Sequence, residues 1–147
     1  MKKLIDTLAQ LQRLRHQSVT DMTIKLAQQT EVCTKFDNNI KALGYLITKT
    51  SVGDVASPSA AVLKNVAGYK GNLQRVIEWQ EQEKVLAKIK ENRIQKNLVQ
   101  AACQEKIVAM ALAEQRDMAR GEDNSQQQKA VDDIAVQCWL RQLRRQD

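Results

Sequence analysis

The chain has 147 residues, with 23 Lys and Arg against 17 Asp and Glu, and a formal net charge of +6. Five aromatic residues (Phe36, Tyr45, Tyr69, Trp79, Trp139), one proline and 18 glutamines are too few rings and too much polarity for a compact core. An Ala-, Gln-, Lys-, Glu- and Leu-rich, proline-poor chain specifies long helices and excludes a β-sandwich, a barrel or a doubly wound sheet.

In chain order, the first element is a helix over about 2–49, broken by no proline and holding one glycine, Gly44. A turn-forming segment, 50–58, follows, and Ser57 before Pro58 reads as an N-cap with proline at the first helical position. A second helix is predicted from about 59 to 120. A weaker break falls at 121–125, where Gly121, Asn124 and Ser125 cluster, and a short helix runs on to about 144. No internal repeat is visible.

The apolar spacing states how the helices meet. In the first, Leu4, Leu8 and Leu11 open a stripe that continues through Val19, Met22, Leu26, Gln29, Cys33, Phe36, Ile40, Leu43 and Ile47. Between Leu11 and Val19 two steps of four through Arg15 read as a stutter. In the second, one heptad register runs from Leu63 through Val66, Lys70, Leu73, Ile77, Gln80, Lys84, Ala87, Glu91, Ile94, Leu98, Ala101, Glu105 and Val108 to Leu112. Two such stripes joined by a short loop predict an all-α fold: one elongated domain, a long antiparallel two-helix coiled-coil hairpin with the second helix overhanging. At ~1.5 Å per residue the helices would span roughly 70 and 90 Å. Folding back at the loop sets Leu4 near Gln104 and leaves forty-odd C-terminal residues beyond it.

Catalytic chemistry is not legible. The single histidine, His16, has no Cys, Asp or Glu at i±3 or i±4 and reads as a solvated residue. There is no phosphate loop, nucleophile elbow or HExxH motif, and Asp132 and Asp133, being adjacent, point to different helix faces. These residues argue against an enzyme, a metal and a cofactor. Cys33, Cys103 and Cys138 are scattered without CxxC spacing, as free thiols of a reducing cytoplasm are. Polar residues interrupt any signal-peptide core after Met1-Lys2-Lys3, and no run approaches the ~18–20 apolar residues of a membrane span. The first fifty residues carry +4, the next fifty +3 and the last 47 −1, with lysines spaced singly among Glu and Gln. That pattern fits solvated outer faces, and nucleic acid is not expected as a partner.

Two segments go beyond a generic coiled coil, Asn65 to Gln80 (NVAGYKGNLQRVIEWQ) and Gln126 to Gln137 (QQQKAVDDIAVQ). Tyr69, the apolar residues after it and Gln80 at the opening of a long second helix resemble the flagellar FliJ family. So does the late Gln-x-x-x-Val-Asp-Asp-x-Ala signature before a basic tail. The resemblance implies a stalk protein of the flagellar type III export apparatus, similar to the γ-subunit coiled coil of rotary ATPases. Its implied partners are a hexameric export ATPase, a membrane export-gate protein and export chaperones, which would place it in the cytoplasm, peripheral to the inner membrane. Virulence-type secretion systems have related stalks, so a coiled-coil adaptor or chaperone of such a system is an open alternative, as is a basic nucleic-acid-binding rod.

Within this frame two surfaces stand out. Tyr69, Leu73, Val76 and Gln80 recur at spacings of four, three and four, and share one helix face, with Leu43 and Tyr45 across the hairpin and Gly44, Gly68 and Gly71 thinning the surface. This set is expected to meet the export gate, the alternative being that it is only the hairpin seam. Arg13, Arg15, Arg141, Arg144 and Arg145 mark the terminal end, with Gln95, Asn97, Gln100 and Gln104 expected opposite the N-terminus. This weakly apolar, cationic end is expected to enter the ATPase ring.

Overall fold

In a computed structural model described over residues 2–50 and 59–146, the chain is two α-helices, α1 (Lys2–Lys49) and α2 (Ala60–Gln146), packed against each other as a hairpin. Lys49 places its cation in the last turn of α1, where the helix dipole favours it, and its Nζ sits 5.4 Å from the Tyr45 ring centroid. The Thr50 amide and hydroxyl both donate to the Leu46 carbonyl, at 2.9 and 2.7 Å. At the start of α2 the cap is Ser59, whose Oγ accepts from the Val62 amide at 3.3 Å, and whose carbonyl accepts from Leu63 at 3.1 Å. The expected cap pair Ser57-Pro58, like most of the expected 50–58 turn, lies outside the described residues.

The expected break at 121–125 does not occur: α2 is helical throughout, and Gly121 has helical backbone. One glycine costs only about 1 kcal/mol in a helix interior. The Arg120–Asp117 ion pair and the Gln128 Nε2 to Asp132 bond at 3.1 Å support the turns on either side.

Contacts divide the chain into two units, Met1–Ser18 with Ala101–Asp147, and Val19–Gln100. In the second unit the helices run antiparallel, Gln29 meeting Ala87 and Asp37 meeting Lys84. Cys33, Ile77 and Ala87 are buried, and the stripes Val19–Ile47 and Val66–Leu98 are otherwise half-buried. Gln29, the one polar residue of its stripe, is buried because its Nε2 donates to the Ala87 carbonyl at 2.9 Å. Only Leu63 of the expected α2 register is exposed, because by the pairing register Lys49 lies level with about Lys70, and α2 starts some ten residues before that.

In the first unit two expectations fail. Leu4 and Leu11 are 48% and 37% exposed, whereas Ile5, Leu8 and Gln12 are half-buried. The half-buried Ile5, Leu8, Gln12 and Val19 are spaced by three, four and seven, so the repeat stays regular with no stutter, and the position between the last two is the exposed Arg15. His16 meets Glu105 and Arg15 meets Gln104, so Leu4 lies opposite about Arg116, not Gln104. The packing centre is therefore near residue 60 rather than in the middle of the expected turn. Ala101 and Leu112 are buried here, Ala119 is the last half-buried residue, and 120–146 are all exposed, so the overhang is 27 residues.

Phe36→Asp places a carboxylate in the half-buried stripe and should lower unfolding free energy by about 2 kcal/mol, read from urea titration of helicity. An unchanged midpoint would show that Phe36 does not face α2. Gly121→Ala, with nothing within 4 Å of the added Cβ, should stabilise by about 0.5–1 kcal/mol.

Candidate functional site

The structure sorts the expected gate residues by the same seam. Leu43, Leu73 and Gln80 are half-buried in the stripes that hold α1 and α2 together, and the Gln80 Oε1 is buried without a hydrogen-bond partner. Tyr45, Tyr69 and Val76 are exposed. Tyr69, Leu73, Val76 and Gln80 thus share one side of α2, with Leu73 and Gln80 at the seam and Tyr69 and Val76 at its exposed edge. The exposed face continues beyond them: Val62, Tyr69, Val76, Trp79 and Leu86 each precede a seam position by one residue and form a second apolar stripe. Trp79 and Leu86, 56% and 60% exposed, were not singled out by spacing alone. The signal was present as a heptad displaced by one from the seam. Gly44, Gly68 and Gly71 each have open space around them.

Of the cationic set, Arg13, Arg141, Arg144 and Arg145 are exposed, and Arg15 donates to the Gln104 Oε1 at 2.8 Å. The expected polar surroundings of the N-terminus are corrected by the register: Val108, Leu112 and Gln115 occupy the α2 stripe there. His16 is not merely solvated, since its Nδ1 lies 2.8 Å from Glu105 Oε1. Its partner comes from the other helix, where a search at i±3 and i±4 could not find it. Among the described residues no group of three or more His, Cys, Asp or Glu could hold a metal, and no helix is long and apolar enough to cross a membrane.

Three groups along the seam titrate unusually. Asp37 is held below the usual carboxylate range, first by its hydrogen bond from Lys84 and then by lysine charge, and Lys84 is raised by the same bond. Burial, then the Glu91 carboxylate, pushes the Cys33 thiol up, so this cysteine stays a neutral thiol packed in the seam. Cys103 and Cys138 are free and exposed.

The fold defines a helical coiled-coil hairpin whose differentiated features are apolar and cationic surface stripes. A family model, described as the flagellar FliJ protein, matches residues 4–144. The chain belongs to the FliJ family, a family of non-catalytic components of the flagellar export apparatus. No curated protein and no solved structure gives a significant match.

The Asp37–Lys84 pair sets a pH test. A depressed carboxylate stabilises above its unfolded pKa and loses that stabilisation as pH falls through its folded value. A raised lysine loses its stabilisation as pH rises through its folded value. Thermal midpoints of the wild type and Asp37→Asn should therefore differ across the middle of the pH range and converge at both acid and alkaline extremes. A constant gap would show that the pair is not coupled to folding.

Proposed function

We propose that this chain is the stalk of a flagellar type III export machine, joining a hexameric export ATPase to the membrane export gate and to export chaperones. The family assignment over 4–144 is the observation that carries this reading, because it covers nearly all of both helices and every residue of the two surface sets but Arg145. Such a protein works in the cytoplasm, against the inner membrane only through the gate, and has no need of nucleic acid or a cofactor.

The surfaces divide the labour. The exposed stripe of Tyr69, Val76 and Trp79, with Tyr45, offers rings and aliphatic groups of the kind that anchor protein interfaces. It meets the gate, while Leu43, Leu73 and Gln80 support it from the seam. Arg141, Arg144 and Arg145, with Arg13 and Arg15, contact the ring, whose acidic loops a mobile set of exposed charges can hold and release. Exposed ion pairs are individually weak, and that suits a contact remade at every nucleotide cycle.

Tyr69→Ala with Val76→Ala should weaken gate binding by about tenfold or more while leaving helicity and ATPase stimulation in place. Reversing Arg141, Arg144 and Arg145 to Glu should do the opposite, lowering ATPase stimulation and removing its salt dependence. Joint loss of both activities in either variant, at full helicity, would refute the division.

A further inference from the structure

The hairpin seam of α2 does not stop where α1 does. Counting on from Leu112, Gln115 and Ala119 in steps of three and four, the register crosses a polar stretch from Glu122 to Asp133, then meets Val136, Leu140 and Leu143. These three are 56%, 46% and 42% exposed, and Trp139 stands beside them on the flank. From about Lys70 to Ala119 this face is covered by α1. Beyond Ala119, the described residues of α1, which begin at Lys2, do not cover it.

We propose that this face is covered by the same face of a second copy of the chain, in an antiparallel two-helix contact centred near Cys138. Continuity with the seam supplies the shape: the stripe already has the three-four spacing that packs against another helix. Charge supplies the partner. The acid-rich side of the overhang (Glu122, Asp123, Asp132, Asp133, against one Lys129) precedes the apolar turns, and Arg141, Arg144 and Arg145 follow them. Setting Val136 against Leu140 of the second copy brings Asp133 level with Leu143 and within one residue, about 1.5 Å of helix rise, of Arg144 of the second copy, and the two-fold axis repeats the pair. Asp133, the last polar position of the register, and Arg144 are eleven residues apart, three helical turns, so they lie on the same side of the helix, as antiparallel pairing requires. A parallel dimer would set Asp133 on Asp133 and Arg144 on Arg144. Cys138 lies on the opposite side of the helix from Leu140, and remains open to solvent in the dimer.

The dimer uses Arg144, which the proposed ring contact also uses, but its test is read on the purified full chain alone, without the ring. Sedimentation equilibrium at low salt, across micromolar to millimolar concentration, should approach twice the 16.7 kDa chain mass. Leu140→Asp should abolish the dimer. Asp133→Arg and Arg144→Asp should each weaken it by about tenfold or more, and an equimolar mixture of those two variants, or both changes in one chain, should restore it. Circular dichroism fixes that the variants remain helical, and the mixture supplies a gain that misfolding cannot mimic. A chain that stays monomeric at every concentration, a dimer untouched by Leu140→Asp, or one strengthened by Asp133→Arg would overturn the proposal. The first of these would mean that the face is kept for another protein, such as the ring.

Discussion

The three-four seam between α1 and α2 is the constraint from which the other features follow. It is thin: among the described residues its buried apolar members are Cys33, Ile77, Ala87, Ala101 and Leu112. Three of these five are small, so the helices can approach closely, and Gln29 of α1 can reach the backbone of α2 at Ala87. A seam of one stripe cannot tolerate a phase error, because a shift of one residue turns each buried position to its flank. The polar members show how strictly it is kept. Gln12 is half-buried in the seam while Leu4 and Leu11 face water, and Lys84 and Glu105 are matched by Asp37 and His16 from the other helix.

A two-helix seam also leaves most of the surface of each helix free. In a globular domain an exposed Trp or a run of exposed leucines would be an anomaly; here, among the described residues, there is no second layer to cover them. The exposed apolar residues consequently fall into stripes defined by their offset from the seam. Residues one place before each seam position give the stripe of Tyr69, Val76, Trp79 and Leu86, whereas the seam position itself, carried beyond Ala119, gives Val136, Leu140 and Leu143. Both are written in the same repeat that holds the hairpin together.

That explains what could be read from the sequence and what could not. The all-helical hairpin and the α2 register from Val66 to Leu112 were legible, since a heptad is a local pattern and needs no knowledge of the partner. The FliJ resemblance was legible in two short segments, and the family match extends it over nearly the whole chain. The relative slide of the two helices was not legible. Assuming a fold-back at the centre of the turn placed Leu4 a dozen residues from its true partner, because stripes with a seven-residue period match equally well after a slide of seven. What fixes the slide are specific cross-helix pairs, His16–Glu105 and Asp37–Lys84, and pairing between distant residues has no local signature. The expected glycine break failed for a related reason: Gly121 was weighed by its neighbours, whereas a helix already propagating through Leu112 and Ala119 needs only to be continued.

The same cooperativity gives the overhang its character. An isolated helix of 27 residues with glycine, Asn and Ser near its start would be marginal in water, since nucleation is unfavourable. Joined to a packed helix, it needs no nucleus. Every residue from Arg120 to Gln146 is exposed and yet helical, supported within itself by the Gln128–Asp132 bond and by arginines at its dipole-favoured end. A partner that docks here finds the backbone already ordered and has only side chains to fix, so even a short apolar stripe can contribute net affinity. The unequal lengths of the two helices, 48 against 87 residues, therefore have a physical use: α1 is long enough to anchor the fold, and α2 is long enough to present a formed helix face beyond it.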